Sequence, residues 1–275
     1  MPRIFTWRHK VRSYEGDVGG EMTPGGLLRL CEHIAVEAAA DAGFDRQFHI
    51  ANNSAWVIHR MTLLIDAPAR QMDELELQTW ASHFTRVRGG REYRIRNLTT
   101  GLEVASGIAE WVYVDRSLLT PKGLPMDIMR GFDIPGKPLG TYDAPEVAQL
   151  AEPIHHVTPR KAEWHEIDSM HHVNNAVYAD WLHSGVWSAA EKLTSHPVAM
   201  LYNDQYLRAR YFDIRYRRAA LPGDDVQVVT SITGLEGPLV EARQSVSGPG
   251  VADLVNAHSV YRWYGPDGDP PQAAE

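Results

Sequence analysis

The chain has 275 residues, 44% hydrophobic and 23% charged, with a formal net charge of −8 at neutral pH. Such a chain is long enough for one large or two ordinary domains, and its acidity argues against nucleic acid as the main partner. The single cysteine, Cys31, excludes an intrachain disulfide and offers no zinc cluster.

The N-terminal residues Met1 to Lys10 have no apolar core of a signal peptide, and no later run approaches the length of a membrane span. The expectation is a cytoplasmic protein without a membrane span. Residues 4–14 alternate loosely as a first strand. Thr23-Pro24 reads as a helix cap and first helical position, followed by a stripe of Leu27, Leu30, Cys31, Ile34, Ala35 and Ala38 and a stop at Gly43. Strand-like runs follow at 56–65, 75–87, 91–97 and 103–114, separated by turns at Gly89-Gly90 and Thr100-Gly101. A strand, a long helix and then several strands imply an α+β arrangement, an antiparallel sheet wrapped on one helix.

Residues 116–153 carry Pro121, Pro125, Pro135, Pro138, Pro145 and Pro153, which interrupt any long element. They read as a connection between domain 1–115 and domain 154–265. In the second part a short strand is expected at 161–165 and a helix from about Asn175 to Leu193. Strands are expected at 212–218, 226–233, 239–246 and 254–264. The polar, Pro- and Gly-rich tail 266–275 is expected to be disordered.

The two parts repeat at a constant spacing. From Lys10 to Lys161 is 151 residues, and the same offset brings Asp17 onto Asp168. It also brings the stripe Leu27, Leu30, Cys31, Ala35, Ala38 onto Tyr178, Trp181, Leu182, Val186, Ala189, and Asp73-Glu74-Leu75 onto Asp224-Asp225-Val226. One offset held across strand, turn, helix and strand implies two tandem copies of one fold. The copies differ at one place: Gly20 and Glu21 stand where His171 and His172 do.

Chemistry concentrates there. Asp168 and His172 lie four residues apart, just before a helix that Asn174 or Asn175 can cap. Free N–H groups near Asn174, Asn175 and Ala176 can hold a carbonyl oxygen that becomes negative in a transition state. An acid/base pair beside such donors suits acyl transfer. The alternative is that Asp168 is only a turn residue and His172 a partly buried polar group, since Asp-x-x-x-His by itself is a weak pattern. The pairs His155-His156 and His171-His172 do not make a metal site, because adjacent side chains diverge. No metal and no cofactor are expected.

The segment His172-Val173-Asn174-Asn175-Ala176-Val177-Tyr178, preceded by Asp168, resembles the motif that opens the central helix of hotdog-fold thioesterases. With the tandem repeat, the chain is similar to the acyl-ACP thioesterases, double-hotdog enzymes. Trp56-Val57-Ile58-His59-Arg60-Met61, Thr79-Trp80-Ala81-Ser82, the hairpin from Arg86 to Arg96, Ala109-Glu110-Trp111-Val112 and Tyr216-Arg217-Arg218 carry the likeness across residues 5–265. It implies two tandem hotdog domains and hydrolysis of fatty acyl thioesters to free acid and carrier thiol. The catalytic pair implied is Asp168 and His172.

The family's segment is Asp-x-Asn-x-His, assisted by a Glu or Cys just after Tyr-Arg-Arg. Here Met170 takes the Asn position, and Ala219 and Ala220 take the others. A cysteine nucleophile is therefore absent at that place, and a water activated by Asp168 and His172 is the implied nucleophile. Simpler acyl-CoA thioesterases also resemble the segment and rely mainly on the Asp. A non-catalytic acyl-thioester-binding protein is the second reading, favoured by Met170, Ala219 and Ala220. A hydratase or dehydratase is disfavoured, because those hotdog proteins space Asp and His by five with Asn-Pro between.

The hairpin arginines Arg86, Arg88, Arg91 and Arg94 read either as a solvated face or as a docking surface for acyl carrier protein or the phosphates of its pantetheine arm. Arg208, Arg210, Arg215, Arg217 and Arg218 form a second cluster with the same alternatives. The expected partner is a thioester on acyl carrier protein or CoA, with a homodimer left open.

Overall fold

The computed structural model describes residues 2–191 and 206–264. The elements are β1 (Phe5–Lys10), a 3-10 turn (Ser13–Glu15), α1 (Pro24–Asp41), α2 (Arg46–Ala51), β2 (Ser54–Ile65), β3 (Glu74–Phe84), β4 (Arg88–Asn97) and β5 (Glu103–Asp115). Then come α3 (Met126–Arg130), β6 (Gln149–Lys161), a second 3-10 turn (Trp164–Glu166) and α4 (Asn175–Ala190). The chain closes with β7 (Tyr206–Tyr216), β8 (Asp225–Glu236), β9 (Leu239–Gly248) and β10 (Val251–Tyr264). The tail 266–275 and the expected helix end at Leu193 lie outside the described residues. Two compact units emerge. Residues up to Glu15 with Leu27–Asp143 make the first, and Gly16–Gly26 with the described residues from Ala144 onward make the second.

In the first unit the strands are antiparallel in the order β1-β3-β4-β5-β2. Thr23 starts α1 as expected, its hydroxyl accepting from Gly26 N at 3.0 Å. The Thr oxygen satisfies a donor that the first turn leaves open. Past the helix, Gly43 takes φ +90°, a conformation that costs a glycine little. Leu27, Leu30, Cys31, Ile34 and Ala38 are all buried. Each large one contributes roughly 1.5–3 kcal/mol by leaving water. The Cys31 thiol is pushed well up by burial, so it serves as an apolar core group. The short helix α2 was not apparent from periodicity; Asp45 Oδ1 caps it at 2.8 Å from Phe48 N.

The proline-rich stretch after β5 is tied down rather than loose. Ile128 of α3 packs with Tyr113 and Leu124. Glu92, fully buried, accepts hydrogen bonds from Trp80 Nε1 (2.9 Å), Leu139 N (3.0 Å), Gly140 N (2.8 Å) and the Tyr142 hydroxyl (2.7 Å). A buried carboxylate persists only with such a set of donors.

In the second unit the order is β7-β10-β9-β8-β6, again antiparallel. The strand expected at 161–165 lies earlier: β6 ends at Lys161, and Trp164–Glu166 form the 3-10 turn. Pro153 and Pro159 argue against a strand, yet β6 is an edge strand and an edge tolerates a missing N–H. Trp181, Leu182, Val186 and Ala189 of α4 are buried. Gln244 of β9 donates to Leu182 O and to Thr230 Oγ1, both at 2.8 Å, which fixes the helix against the sheet.

The offset of 151 holds in three dimensions. It carries Ser13–Glu15 onto Trp164–Glu166, the start of α1 onto that of α4, and β4 onto β9 without remainder. The isolated bridge Gly16↔Met22 maps onto Ile167↔Val173. The β3–β4 ladder is interrupted between Ala81 and His83, and the β8–β9 ladder between Ile232 and Gly234, at the same offset. A bulge inherited at one register is a designed feature of the sheet.

Candidate active site

Asp168 to Val173 form a tight loop between the 3-10 turn and α4. Asp168 N donates to His172 O and His171 N to Asp168 O, each at 3.0 Å. Val173 N donates to Ala220 O at 3.0 Å, and Asn174 N to Glu166 O at 2.9 Å. The buried Glu166 carboxylate in turn accepts from Trp181 Nε1 at 2.9 Å, which locks the 3-10 turn to α4. The loop closes because His171 adopts φ +68°. The matching Gly20 adopts φ +71° in the same turn. Histidine pays for the left-handed conformation that glycine takes freely. His171→Gly is therefore expected to raise stability by roughly 0.5 kcal/mol after the larger entropy of an unfolded glycine is offset. Thermal melting checks this; a lower Tm would mean that the exposed His171 ring makes a stabilising contact.

Asp168 Oδ1 accepts from Met170 N at 2.7 Å. Its Oδ2 has no hydrogen-bond partner among the described residues. His172 Nδ1 stands 3.7 Å from Asp168 Oδ1, beyond hydrogen-bond range, and is buried without a partner. The Asp168 side chain is 22% exposed and that of His172 17%.

The helix start is narrower as a donor site than the sequence implied. Asn174 is the cap: its Oδ1 accepts from Ala176 N at 2.9 Å. Asn174 N is committed to Glu166 O. Of the three N–H groups expected at an oxyanion, only Asn175 N donates to no other group among the described residues. Two tyrosines that the sequence did not single out as site residues frame this end. The Tyr216 hydroxyl donates to Asn175 O at 3.0 Å, and the Tyr178 oxygen accepts from Ala220 N at 2.7 Å. Burial pushes the Tyr178 phenol up to about 12, so it stays protonated. Their signal was present in Tyr216-Arg217-Arg218 and in the helical stripe, but periodicity assigns such residues to the core. Met170 is half-buried, Ala219 exposed and Ala220 buried, and none brings a polar side chain to the pair.

In the corresponding turn of residues 16–26, Asp17 Oδ1 accepts from Gly19 N at 2.8 Å and Glu21 N at 3.2 Å. Burial raises the Asp17 carboxyl. Glu21, in the place of His172, is buried and binds Arg208 in a fork: Arg208 Nε donates to Glu21 Oε2 at 2.6 Å and Nη2 to Oε1 at 2.5 Å. Tyr264 lies under the guanidinium, 4.5 Å from ring centroid to Cζ. Arg208 thus leaves the exposed cluster in which the sequence placed it. In the hairpin, Arg86, Arg88 and Arg94 are exposed, with Arg94 paired to Glu103. Arg91 is corrected: it is buried, 9% exposed, on the opposite face of β4 from Arg88 and Arg94. A surface for a carrier cannot include it.

Among the described residues, no cluster of three or more His, Cys, Asp or Glu side chains could hold a metal ion. Nor is any helix among them long and apolar enough to cross a membrane.

Five antiparallel strands and one long helix in each unit define a tandem hotdog protein, with a carboxylate–imidazole loop at the start of α4. Residues 2–132 match the family model of the acyl-ACP thioesterase N-terminal domain, and residues 170–248 match that of the thioesterase superfamily. The first part is thus similar to the acyl-ACP thioesterases and the second to the wider thioesterase superfamily. It is 22% identical over 247 residues to the chloroplastic palmitoyl-acyl carrier protein thioesterase of Arabidopsis thaliana, covering 85% of this chain and 56% of that protein. The chain thus spans little more than half the length of that relative. It is 28% identical over 131 residues to the acyl-CoA thioester hydrolase YbgC of Escherichia coli O157:H7, covering 47% of this chain and 96% of that one. Among solved structures, a putative oleoyl thioesterase from Lactobacillus plantarum superposes with a TM-score of 0.79 at 18% identity, covering 94% of this chain and 96% of the other. The 12:0-ACP thioesterase from Umbellularia californica gives 0.72 at 16% identity, covering 94% and 97%.

Proposed function

We propose that the chain hydrolyses fatty acyl thioesters, with acyl-ACP as the preferred substrate, through a water activated at Asp168. The observation that carries this reading is the loop that holds a free carboxylate oxygen and an unpartnered imidazole nitrogen just before a helix whose Asn175 N–H is uncommitted among the described residues. Asp168 Oδ2 takes a proton from the water as its oxygen attacks the thioester carbonyl. The carbonyl oxygen, now negative, is held by Asn175 N–H with the positive end of the α4 dipole behind it. The C–S bond then breaks. The proton held by Asp168 passes by way of His172 to the leaving thiolate, giving a free acid and a carrier thiol. Catalytic hydrogen bonds commonly tighten only with substrate bound, and the 3.7 Å between Asp168 and His172 suits such closing.

Incubating the protein with acyl-ACP and measuring released thiol tests the reading. An absence of hydrolysis on every acyl-ACP and acyl-CoA tried would favour a protein that holds thioesters uncleaved, the reading supported by Met170, Ala219 and Ala220. Relative kcat/KM on the two carriers decides between them.

Arg86, Arg88 and Arg94 suit an acidic carrier, since they stay exposed in a chain of net charge −8. Replacing the three with alanine is expected to raise KM for acyl-ACP severalfold and flatten its salt dependence, with kcat unchanged. An unchanged KM at low salt returns them to a solvated face.

A further inference from the structure

The peptide unit that joins His172 to Val173 is held at both polar ends. Its carbonyl oxygen, on His172, accepts from Asp168 N at 3.0 Å, and its N–H, on Val173, donates to Ala220 O at 3.0 Å. A peptide is planar, so bonds at both ends fix its tilt, and with it the direction in which the His172 side chain leaves the backbone. One end of this clamp is local to the loop. The other comes from the distant turn between β7 and β8.

That turn is open on its outside. Arg217, Arg218, Ala219 and Leu221 are exposed, while Ala220 is fully buried. Ala220 is held from within by Tyr178 of α4, whose hydroxyl oxygen accepts from Ala220 N at 2.7 Å. The buried Tyr178 ring meets Trp181 and Tyr216 edge-on, with centroids 5.2 and 6.1 Å away, so packing fixes where its oxygen points. A row of hydrogen bonds thus runs from the Tyr178 hydroxyl through the backbone of Ala220 to the His172–Val173 peptide.

A buried N–H needs an acceptor wherever it lies, and Tyr178 could serve Ala220 for that reason alone. Two observations give the hydroxyl a further role. No hydrogen bond holds the His172 ring among the described residues, so the backbone beneath it is what orients it. In the first copy Leu27 stands where Tyr178 does and Glu21 where His172 does, so the hydroxyl and the imidazole occur together.

We propose that Tyr178 is a positioning residue for thioester hydrolysis: by holding Ala220, its hydroxyl keeps the His172 ring beside the Asp168 carboxylate. The proposal rests on the reading of Asp168 and His172 as the reacting pair.

Steady-state kinetics on acyl-ACP with Tyr178→Phe, His172→Ala and the double variant test it. Tyr178→Phe should lower kcat about ten- to hundredfold, the scale of loss when a reacting group is misplaced by up to about 1 Å, with KM unchanged. In the His172→Ala background the same change should cost nothing further, because no ring is left to position. Tyr261→Phe deletes another fully buried hydroxyl, 3.1 Å from His183 Nδ1, and should leave kcat at the wild-type value. In proton NMR the His172 ring should give one sharp set of resonances in the wild type that broadens or splits in Tyr178→Phe. Equal losses from Tyr178→Phe in both backgrounds, an unchanged kcat, or an equal loss from Tyr261→Phe would overturn the proposal and leave Tyr178 a core residue. If His172→Ala keeps the wild-type kcat, the reacting-pair reading fails and takes the proposal with it; if His172→Ala loses activity and Tyr178→Phe does not, the proposal alone fails. Should Tyr178→Phe not fold, hydrogen exchange on the wild type decides: the Val173 and Ala220 amides should exchange together and far more slowly than that of Ala219, and rapid exchange of either overturns the clamp.

Discussion

Asp168→Asn is expected to lower kcat for acyl thioesters by about 100- to 10,000-fold, the usual worth of a general base. The substitution preserves shape and the Oδ1 contact with Met170 N while removing the charge that draws a proton from water. KM and the melting temperature should change little, because Asp168 holds its loop mainly through backbone bonds to His171 and His172. His172→Ala should also lower kcat. Asp17→Asn, in the matching turn where Glu21 replaces the imidazole, should leave it near the wild-type value. Rates near wild type for Asp168→Asn would sink the site assignment. A large fall accompanied by a lower melting temperature would place Asp168 among structural residues instead.

The second large effect is on stability. Glu21→Ala leaves Arg208 without its carboxylate in a site where the two side chains are 6% and 14% exposed. Breaking one side of such a pair costs about 3–5 kcal/mol, since the survivor keeps its charge without compensation. For a chain of this size the melting temperature should fall by about 6–15 °C. Glu21→Met combined with Arg208→Leu removes both charges, and it should recover most of the loss. A double-mutant cycle reads the coupling directly. If Glu21→Ala melts within a degree of wild type, the fork contributes nothing, and solvent reaches Arg208 more readily than its burial indicates. The pair also marks the difference between the copies: a buried Glu–Arg fork fills the place that His172 holds in the other turn.

The pattern of residues by itself determined the architecture. The stripes at 27–38 and 178–189 fixed two central helices, because only one face of each is apolar. The recurrence of Lys10, Asp17 and Asp73 at Lys161, Asp168 and Asp224 fixed two copies, because a fold repeated in tandem keeps its element lengths. The placement of Asp168 and His172 beside each other was also legible, since two groups four residues apart just before a capped helix are a local arrangement.

What the pattern could not decide were matters of non-local contact. The hairpin arginines look alike in sequence, yet strand alternation turns Arg91 inward and leaves Arg88 and Arg94 outside. Which parity faces the core is set by the neighbouring strands and α1. Arg208 reads as one of a basic cluster until Glu21, 187 residues earlier, closes on it. The prolines of β6 speak against a strand until the fold places that strand at an edge, where the missing N–H costs nothing. At the helix start, the sequence offered three N–H groups. The tertiary structure committed two, through Glu166 and the cap Asn174, and left Asn175 N without an acceptor among the described residues, because a buried donor must find an acceptor wherever the chain brings one within reach.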